Sequence, residues 1–325
     1  LWFFVYEHKT VKRFFINGFR FAVYSLLSGG MAAFILLPAY HGIMATAAGD
    51  MAIPKGTWYG NIFVMLRQLL VFTKPITNQI FDGGVNLYCG MLAVLTMFLY
   101  LFVKEHPWKK FRKYVLLVLL VISFNHGTLN YIWHGMHFPQ ALPGRQSFLY
   151  SFVLLSMGFA AVRKRKGTKI WHIAVAAIVS MMLLLLSGWY GDETVTEPVS
   201  LVITALFICV YAVTFVLTKI TGKKKRLAFA QFAVFVAVAE LAINMAATGF
   251  GTTSRVAYTE KQTDYENLLK TAKEDNEETG SGFYRVEDTE RKTKNDDSLY
   301  GYASATIFSS LMNLDVSHLF QSLFM

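Results

Sequence analysis

Seven stretches of this chain are apolar for close to the ~20 residues that a helix needs to cross ~30 Å of hydrocarbon. They are 14–37, 85–103, 114–132, 147–162, 170–188, 199–218 and 227–247. Lipid offers the backbone no hydrogen bonds, so runs of this length predict helices, and the expected fold is an all-α polytopic membrane bundle over residues 1–247. The fourth run is short. It reaches an adequate length only if it begins at Arg145, which sets that guanidinium at the membrane boundary. With 54% hydrophobic and 16% charged residues and a mean hydropathy of +0.39, the 325-residue chain is too apolar for an ordinary soluble domain.

Neither end reads as a natural terminus. Leu1-Trp-Phe-Phe-Val resembles the last turn of an earlier span and Met325 stops inside an amphipathic segment, so the sequence reads as an internal part of a longer protein. A missing signal or lipidation motif therefore carries no information. Cys89 and Cys209 both sit inside apolar runs, as small core residues do, and imply neither a disulfide nor a metal pair.

Charge gives the expected orientation. Lys and Arg gather in alternate connections, at Lys9, Lys12 and Arg13, at Lys104, Lys109, Lys110, Arg112 and Lys113, at Arg163 to Lys166 with Lys169, and at Lys219 with Lys223 to Arg226. The connections between them hold only Lys55, Arg67, Lys74 and Arg145. Basic loops stay in the cytosol, so the opposite loops face outward. The net charge of +10 then follows from topology and does not call for nucleic acid as a partner.

Two regions outside the spans carry further expectations. Within 38–84, the eleven residues 62–72 are apolar except for Arg67 and Gln68, too few to span. They predict either a segment that lies in the outer interface or dips inward, as the wall of a lipid-facing groove, or a helix that merely covers the bundle. After Ala247 the composition turns polar, and 248–325 predicts the start of an α+β extracytoplasmic domain. Residues 265–273 have helical spacing, Phe283-Tyr-Arg-Val-Glu-Asp alternates like a strand, and Asn313-Leu-Asp-Val-Ser reads as a helix start.

The chemistry concentrates between Asn125 and Tyr150. His126 and Asn130 stand four apart, and His134 and His137 three apart. Pro139 and Pro143 stop the helix, and Gly144 frees the backbone before Arg145. Polar groups at this depth are costly and mark sites. Three readings follow. An anion site would use Arg145, nearby imidazoles and the start of the fourth span. A metal site would use His126, His134 and His137, but no Asp, Glu or Cys accompanies them. A structural role would have the histidines and asparagines join helices while Arg145 reaches the headgroups. For the individual histidines and asparagines the structural reading weighs more; for Arg145 the functional one does.

Asn130-Tyr-Ile-Trp-His-Gly-Met-His-Phe-Pro and Leu142-Pro-Gly-Arg-Gln-Ser-Phe-Leu-Tyr-Ser-Phe resemble the central signature of the bacterial YfhO family of multi-pass membrane proteins. Phe283-Tyr-Arg-Val-Glu, and Tyr300-Gly-Tyr-Ala-Ser through Phe308-Ser-Ser, resemble the start of that family's outer domain. Gln146 stands where the family's usual wording has Phe or Tyr.

The resemblance implies a GT-C-like polytopic glycosyltransferase. Such an enzyme would move a hexose from an undecaprenyl-phosphate carrier to an extracytoplasmic cell-envelope polymer such as lipoteichoic acid. Arg145 would then bind the carrier phosphate, with His134, His137, Asn130 and His126 lining the cavity. In GT-C enzymes the base is usually acidic and in the first outer loop, upstream of this sequence, so no catalytic residue is assigned; Asp50 and Asp82 match no motif. No motif demands a cofactor, and a divalent metal is left open. A transporter or flippase for a lipid-linked sugar would share the cation and groove without a base, and a non-catalytic envelope scaffold would share only the outer domain.

Overall fold

The computed structural model describes residues 10–46, 53, 56–76, 85–136, 144–190, 198–249, 254–280, 284–287, 295–304, 315, 318–319 and 322. The chain divides into two compact units, Leu1–Gly18 with Ala52–Phe250, and Phe19–Met51 with Gly251–Met325. Every regular element of more than one residue among the described residues is helical.

Three predicted spans appear as expected. They are the helices Ile170–Trp189, Pro198–Ile220 and Lys223–Gly249, each long and apolar enough to cross a membrane. The first predicted span is bent. Residues 14–37 fall on α1 (Val11–Met31) and α2 (Ala33–Met44), which meet at 75° and together meet the length and hydropathy of one further span. Ser28, Gly29 and Gly30 stand just before the break, where small residues lower the cost of leaving the helix.

Two other runs are interrupted. A short helix, α3 (Ile62–Arg67), precedes the first of them. Residues 85–90 are not helical; α4 occupies only Met91–Leu99 and continues as a single tight turn, Tyr100–Phe102. Gly90, with φ +90°, ends the extended approach and turns the chain into the helix. The third run divides into α5 (Pro107–Asn125) and α6 (Gly127–Trp133). Pro107 opens α5 at a position where a missing N–H costs nothing, and the His106 ring accepts from the Trp108 amide at 3.3 Å. At His126 the backbone is extended (φ −123°, ψ 122°) and pairs antiparallel with Trp58. The Tyr59 amide donates to the Asn125 carbonyl at 3.0 Å and the Gly127 amide to the Thr57 carbonyl at 2.9 Å. These bonds replace two that the broken helix gives up.

The remaining helices of the first unit are α7 (Ser147–Arg163), α8 (Ile170–Trp189), α9 (Pro198–Ile220) and α10 (Lys223–Gly249). Buried nearly all round, α4 is the centre against which α7, α8 and α9 pack. On α8 the inward positions are Ile173, Ala176, Ser180, Leu184 and Ser187, and on α9 Ser200, Thr204, Ile208, Tyr211, Thr214, Phe215 and Thr218. That is helical spacing, with hydroxyls turned inward. Ser180 donates to the Ala176 carbonyl at 2.7 Å and Thr218 to the Phe215 carbonyl at 2.8 Å, so these hydroxyls need no water. Outward positions such as Ile178, Met182 and Leu185 are large, apolar and exposed. Small polar groups inside and bulky apolar groups outside are the arrangement that lipid, not water, solvates.

Helix α3 and the turn after it enter this core. Met65, Arg67, Gln68, Leu69, Leu70 and Val71 are buried, and α3 packs on α8, so of the two sequence readings the covering surface helix is excluded. Thr204 accepts from the Val71 amide at 3.1 Å, Asn244 accepts from the Phe72 amide at 2.7 Å, and Ser200 donates to the Val71 carbonyl.

Three basic connections meet at one end of the first unit. Lys164 pairs with Glu105 at 3.2 Å, and Lys219 donates to the Arg165 carbonyl at 2.9 Å and to that of Thr168. Burial works to raise the Glu105 carboxyl, but the Tyr100 hydroxyl and Lys164 outweigh it and hold it below the usual carboxylate range.

Close packing at the centre gives a first prediction. A Cβ on Gly158 of α7 would lie 2.6 Å from the Thr96 hydroxyl oxygen of α4, which is buried and bonded to the Leu92 carbonyl at 2.7 Å. Gly158→Ala should therefore destabilise the protein by about 1–3 kcal/mol through overpacking. Thermal unfolding in detergent should show the loss, and Thr96→Ala in the same chain should restore most of it.

In the second unit, α11 (Arg255–Thr259) starts at Ser254, whose hydroxyl accepts from the Ala257 amide at 3.1 Å. It is followed by α12 (Gln262–Thr279) and α13 (Asp296–Tyr300), joined by Tyr265 and Tyr300, whose rings stack with centroids 4.0 Å apart. Among the described residues of the expected strand, 284–287, no strand forms. Residues 284–287 are extended and touch 303–304, with the Val286 amide donating to the Ala303 carbonyl at 2.9 Å, but they build no ladder. One backbone bond is too few for a strand pair, and the regular elements among the described residues of this unit are helices, so the α+β expectation is not supported. Phe283 and Asn313 lie outside the described residues.

Candidate functional site

At the end of the first unit away from the basic connections, four segments converge. Asn61, at the start of α3, accepts from the Phe63 amide at 2.9 Å and donates to the Tyr190 carbonyl at the end of α8 at 3.2 Å. Asn125, the last residue of α5, donates to the Gly60 carbonyl at 2.7 Å. The segment 56–61 is thereby fastened across the α5–α6 break, which brings Trp58 and Tyr59 to the polar residues recognised in the sequence.

His126 sits at that break. Its ring meets Trp58 edge to face at 5.0 Å, and a Cβ on Gly56 would lie 3.5 Å from its Cε1 and Nε2. Its Nδ1 is buried with no protein hydrogen-bond partner among the described residues. One turn on, the Asn130 amide donates to the His126 carbonyl at 2.9 Å, so the two residues share a face despite the break. Asn130 is fully buried, and its Oδ1 accepts from the Gly144 amide at 3.4 Å. The carboxamide also meets the Tyr59 hydroxyl. Burial raises the Tyr59 pKa despite the Asn130 contact, so this phenol stays protonated at neutral pH.

His134 ends α6. Its Nδ1 lies 2.7 Å from the Asn130 carbonyl oxygen, an acceptor, which assigns the proton to Nδ1. The ring thus adds a second donor to a carbonyl that already accepts the His134 backbone amide at 3.1 Å. Gly135 and Met136 follow with φ +72° and +64° and turn the chain away. His137, Pro139 and Pro143 lie outside the described residues.

The chain returns at Gly144, with φ +66°, packed so closely that a Cβ there would lie 2.4 Å from Val85 Cγ2. Arg145 follows, exposed, in the turn that leads into α7. Gln146 follows that, only 6% exposed, with Nε2 and Oε1 both buried and neither bonded to a protein group among the described residues. The structure therefore brings His126, Asn130, the 144–146 turn and Tyr59 together around one junction, and keeps His134 beside it.

Among the described residues no three His, Cys, Asp or Glu side chains gather as metal ligands. His126 is held by Trp58 and His134 by the Asn130 carbonyl. Asp50 and Asp82 lie outside the described residues.

One group absent from the sequence reading is prominent in the fold. Glu240, in the apolar part of α10, is 1% exposed and accepts from three donors: the Tyr88 hydroxyl at 2.8 Å, the Met91 amide at 2.7 Å and the Tyr211 hydroxyl at 2.5 Å. Met91 is the first residue of α4, so the carboxylate caps the start of the central helix, where the helix dipole favours negative charge. With its oxygens occupied, Glu240 is a structural group and not a candidate base. Its signal was visible, since a lone carboxylate inside the 227–247 run is expected to face a bundle interior. Tyr59 gave no comparable sign, because nothing in its local sequence connects it to Asn130.

Compared with models of protein families, the chain matches the one described as "Bacterial membrane protein YfhO" over residues 1–324. No curated protein and no solved structure matches it.

Proposed function

Because the chain belongs to the YfhO family of bacterial membrane proteins, we propose that it is a membrane glycosyltransferase. It would move a hexose from an undecaprenyl-phosphate carrier to an extracytoplasmic envelope polymer, lipoteichoic acid being one such acceptor. The observation that carries this reading is the junction of α5, α6 and α7. Arg145 is exposed in the 144–146 turn, which also holds the buried Gln146 and is bonded to the buried Asn130 through Gly144, at the end of an apolar bundle remote from its basic connections. A lipid-linked sugar has matching parts: an acyl-like chain for the bilayer, an anion for a cation at the boundary, and a hydroxylated ring for polar groups beyond it. The positive-inside tendency supports an outward orientation for the junction and for the second unit.

In this reading Arg145 binds the carrier phosphate. A guanidinium offers paired donors to two phosphate oxygens, which a lysine ammonium does not. Arg145→Ala should weaken binding of the polyprenyl-phosphate sugar and slow transfer by about 10- to 100-fold, with Arg145→Lys in between. Transfer of radiolabelled hexose by the full-length protein in lipid nanodiscs measures this. Unchanged donor affinity in both variants would remove Arg145 from the site. Movement of the lipid-linked sugar across the bilayer without transfer would favour a flippase, and neither activity would leave a scaffold.

A further inference from the structure

Gln146 is the most unusual polar group in the first unit. It is more than nine-tenths buried, at 6% exposure, yet both ends of its carboxamide lack a protein partner among the described residues. Buried amides are almost always bonded, because a stranded donor or acceptor loses its water without replacement. The Asn130 carboxamide, fully buried, accepts from the Gly144 amide, two residues before Gln146. His126, one turn before Asn130, has a buried Nδ1 that, like the Gln146 carboxamide, lacks a protein partner among the described residues.

We infer that Gln146, two residues after the Gly144 amide that Asn130 holds, is the subsite for the sugar ring of the donor, an inference that rests on the glycosyltransferase reading above. The chemistry of the unused atoms selects the ligand. An anion would satisfy Gln146 Nε2 and leave Oε1 stranded, and a cation would do the reverse. A hydroxyl both donates and accepts, and adjacent hydroxyls on a pyranose present that pair to the two ends of one carboxamide. The neighbouring residue fits the same ligand. Arg145 is exposed and Gln146 is buried, and their Cα atoms are about 3.8 Å apart across one peptide bond. In the donor, phosphate and sugar are likewise joined by a single linkage, so a phosphate on the exposed side directs its ring toward the buried side. Gln146 is then a specificity residue and takes no part in bond making.

The test compares two lipids, undecaprenyl phosphate and undecaprenyl-phosphate glucose, on the full-length protein in nanodiscs, with the galactose and N-acetylglucosamine forms as further sugar-bearing probes. Wild type should bind at least one sugar-bearing form more tightly than the bare phosphate. Gln146→Met, of similar length but without the amide, should lose about 10- to 100-fold of affinity for that form and keep its affinity for undecaprenyl phosphate. It should also melt no lower than wild type, since stranded polar atoms are removed; Gln146→Glu, which keeps the acceptor and loses the donor, covers the case in which methionine misfolds. If wild type prefers a sugar-bearing lipid and neither variant reduces that preference, only ordered water occupies the carboxamide and the inference is overturned while the function stands. If wild type binds no lipid of the set, the donor reading fails and this subsite fails with it.

Discussion

Glu240→Ala should remove about 3–5 kcal/mol of folding stability, the largest loss expected of any single substitution in the first unit. The carboxylate answers two tyrosine hydroxyls and the first amide of α4 in a place from which water and lipid headgroups are both excluded. Alanine leaves all three donors stranded and opens space beneath them, and each stranded group costs on the order of 1–3 kcal/mol. Losing Tyr88 or Tyr211 to phenylalanine removes one donor of three and should cost less, about 1–2 kcal/mol, since the carboxylate keeps its other partners. Glu240→Gln should fall between, because its single amide oxygen can still accept while its NH2 faces a former donor. Denaturant unfolding of the detergent-solubilised protein orders the four variants. A Glu240→Ala protein as stable as wild type would mean that α4 is positioned without its cap. The consequence extends to the proposed site, because α4 is reached through residues 85–90, and Val85 is the residue that abuts Gly144.

What the sequence made legible follows from what lipid enforces. Runs 170–188, 199–218 and 227–247 appear as helices within a few residues of their expected bounds because a backbone in hydrocarbon has no other way to satisfy itself. Runs 85–103 and 114–132 look equally apolar yet are broken, and the cause lies far away in the chain. The amide of Met91 is answered by Glu240, 149 positions later, and the extended backbone at His126 is answered by Trp58. Hydropathy records how apolar a run is and not where another segment will supply its hydrogen bonds. The candidate site divides in the same way. Asn130, His126 and Arg145 stood out as polar residues at the edge of apolar runs, whereas Tyr59 and Val85 join them only through tertiary pairing. For His134 the sequence gives only the polar residue, while one turn of α6 brings its ring back to the Asn130 carbonyl. Gln146 stood out only as a departure from a family wording; its burial, not its identity, gives it a role.

Gly144→Ala should disable the proposed site and destabilise the protein together, by about 2–4 kcal/mol, because two independent penalties add. The backbone at 144 has φ +66°, which costs an alanine about 1–2 kcal/mol relative to glycine. The new Cβ would also lie 2.4 Å from Val85 Cγ2 and 2.9 Å from Cγ1, so the turn or the extended segment must move. Any movement of the turn carries Arg145 and Gln146 with it and releases the Gly144 amide from Asn130, so donor affinity should fall along with stability. The two penalties separate in a double-mutant cycle. Val85→Ala removes both offending methyls and leaves only its Cβ, 3.2 Å from the new atom, so it should recover the steric part and not the backbone part. A coupling of about 1–2 kcal/mol between positions 85 and 144 in unfolding, with donor binding partly restored in the double variant, is the expected result. Strict additivity would show that the turn and the approach to α4 do not touch, and that the start of α7 is positioned by some other contact.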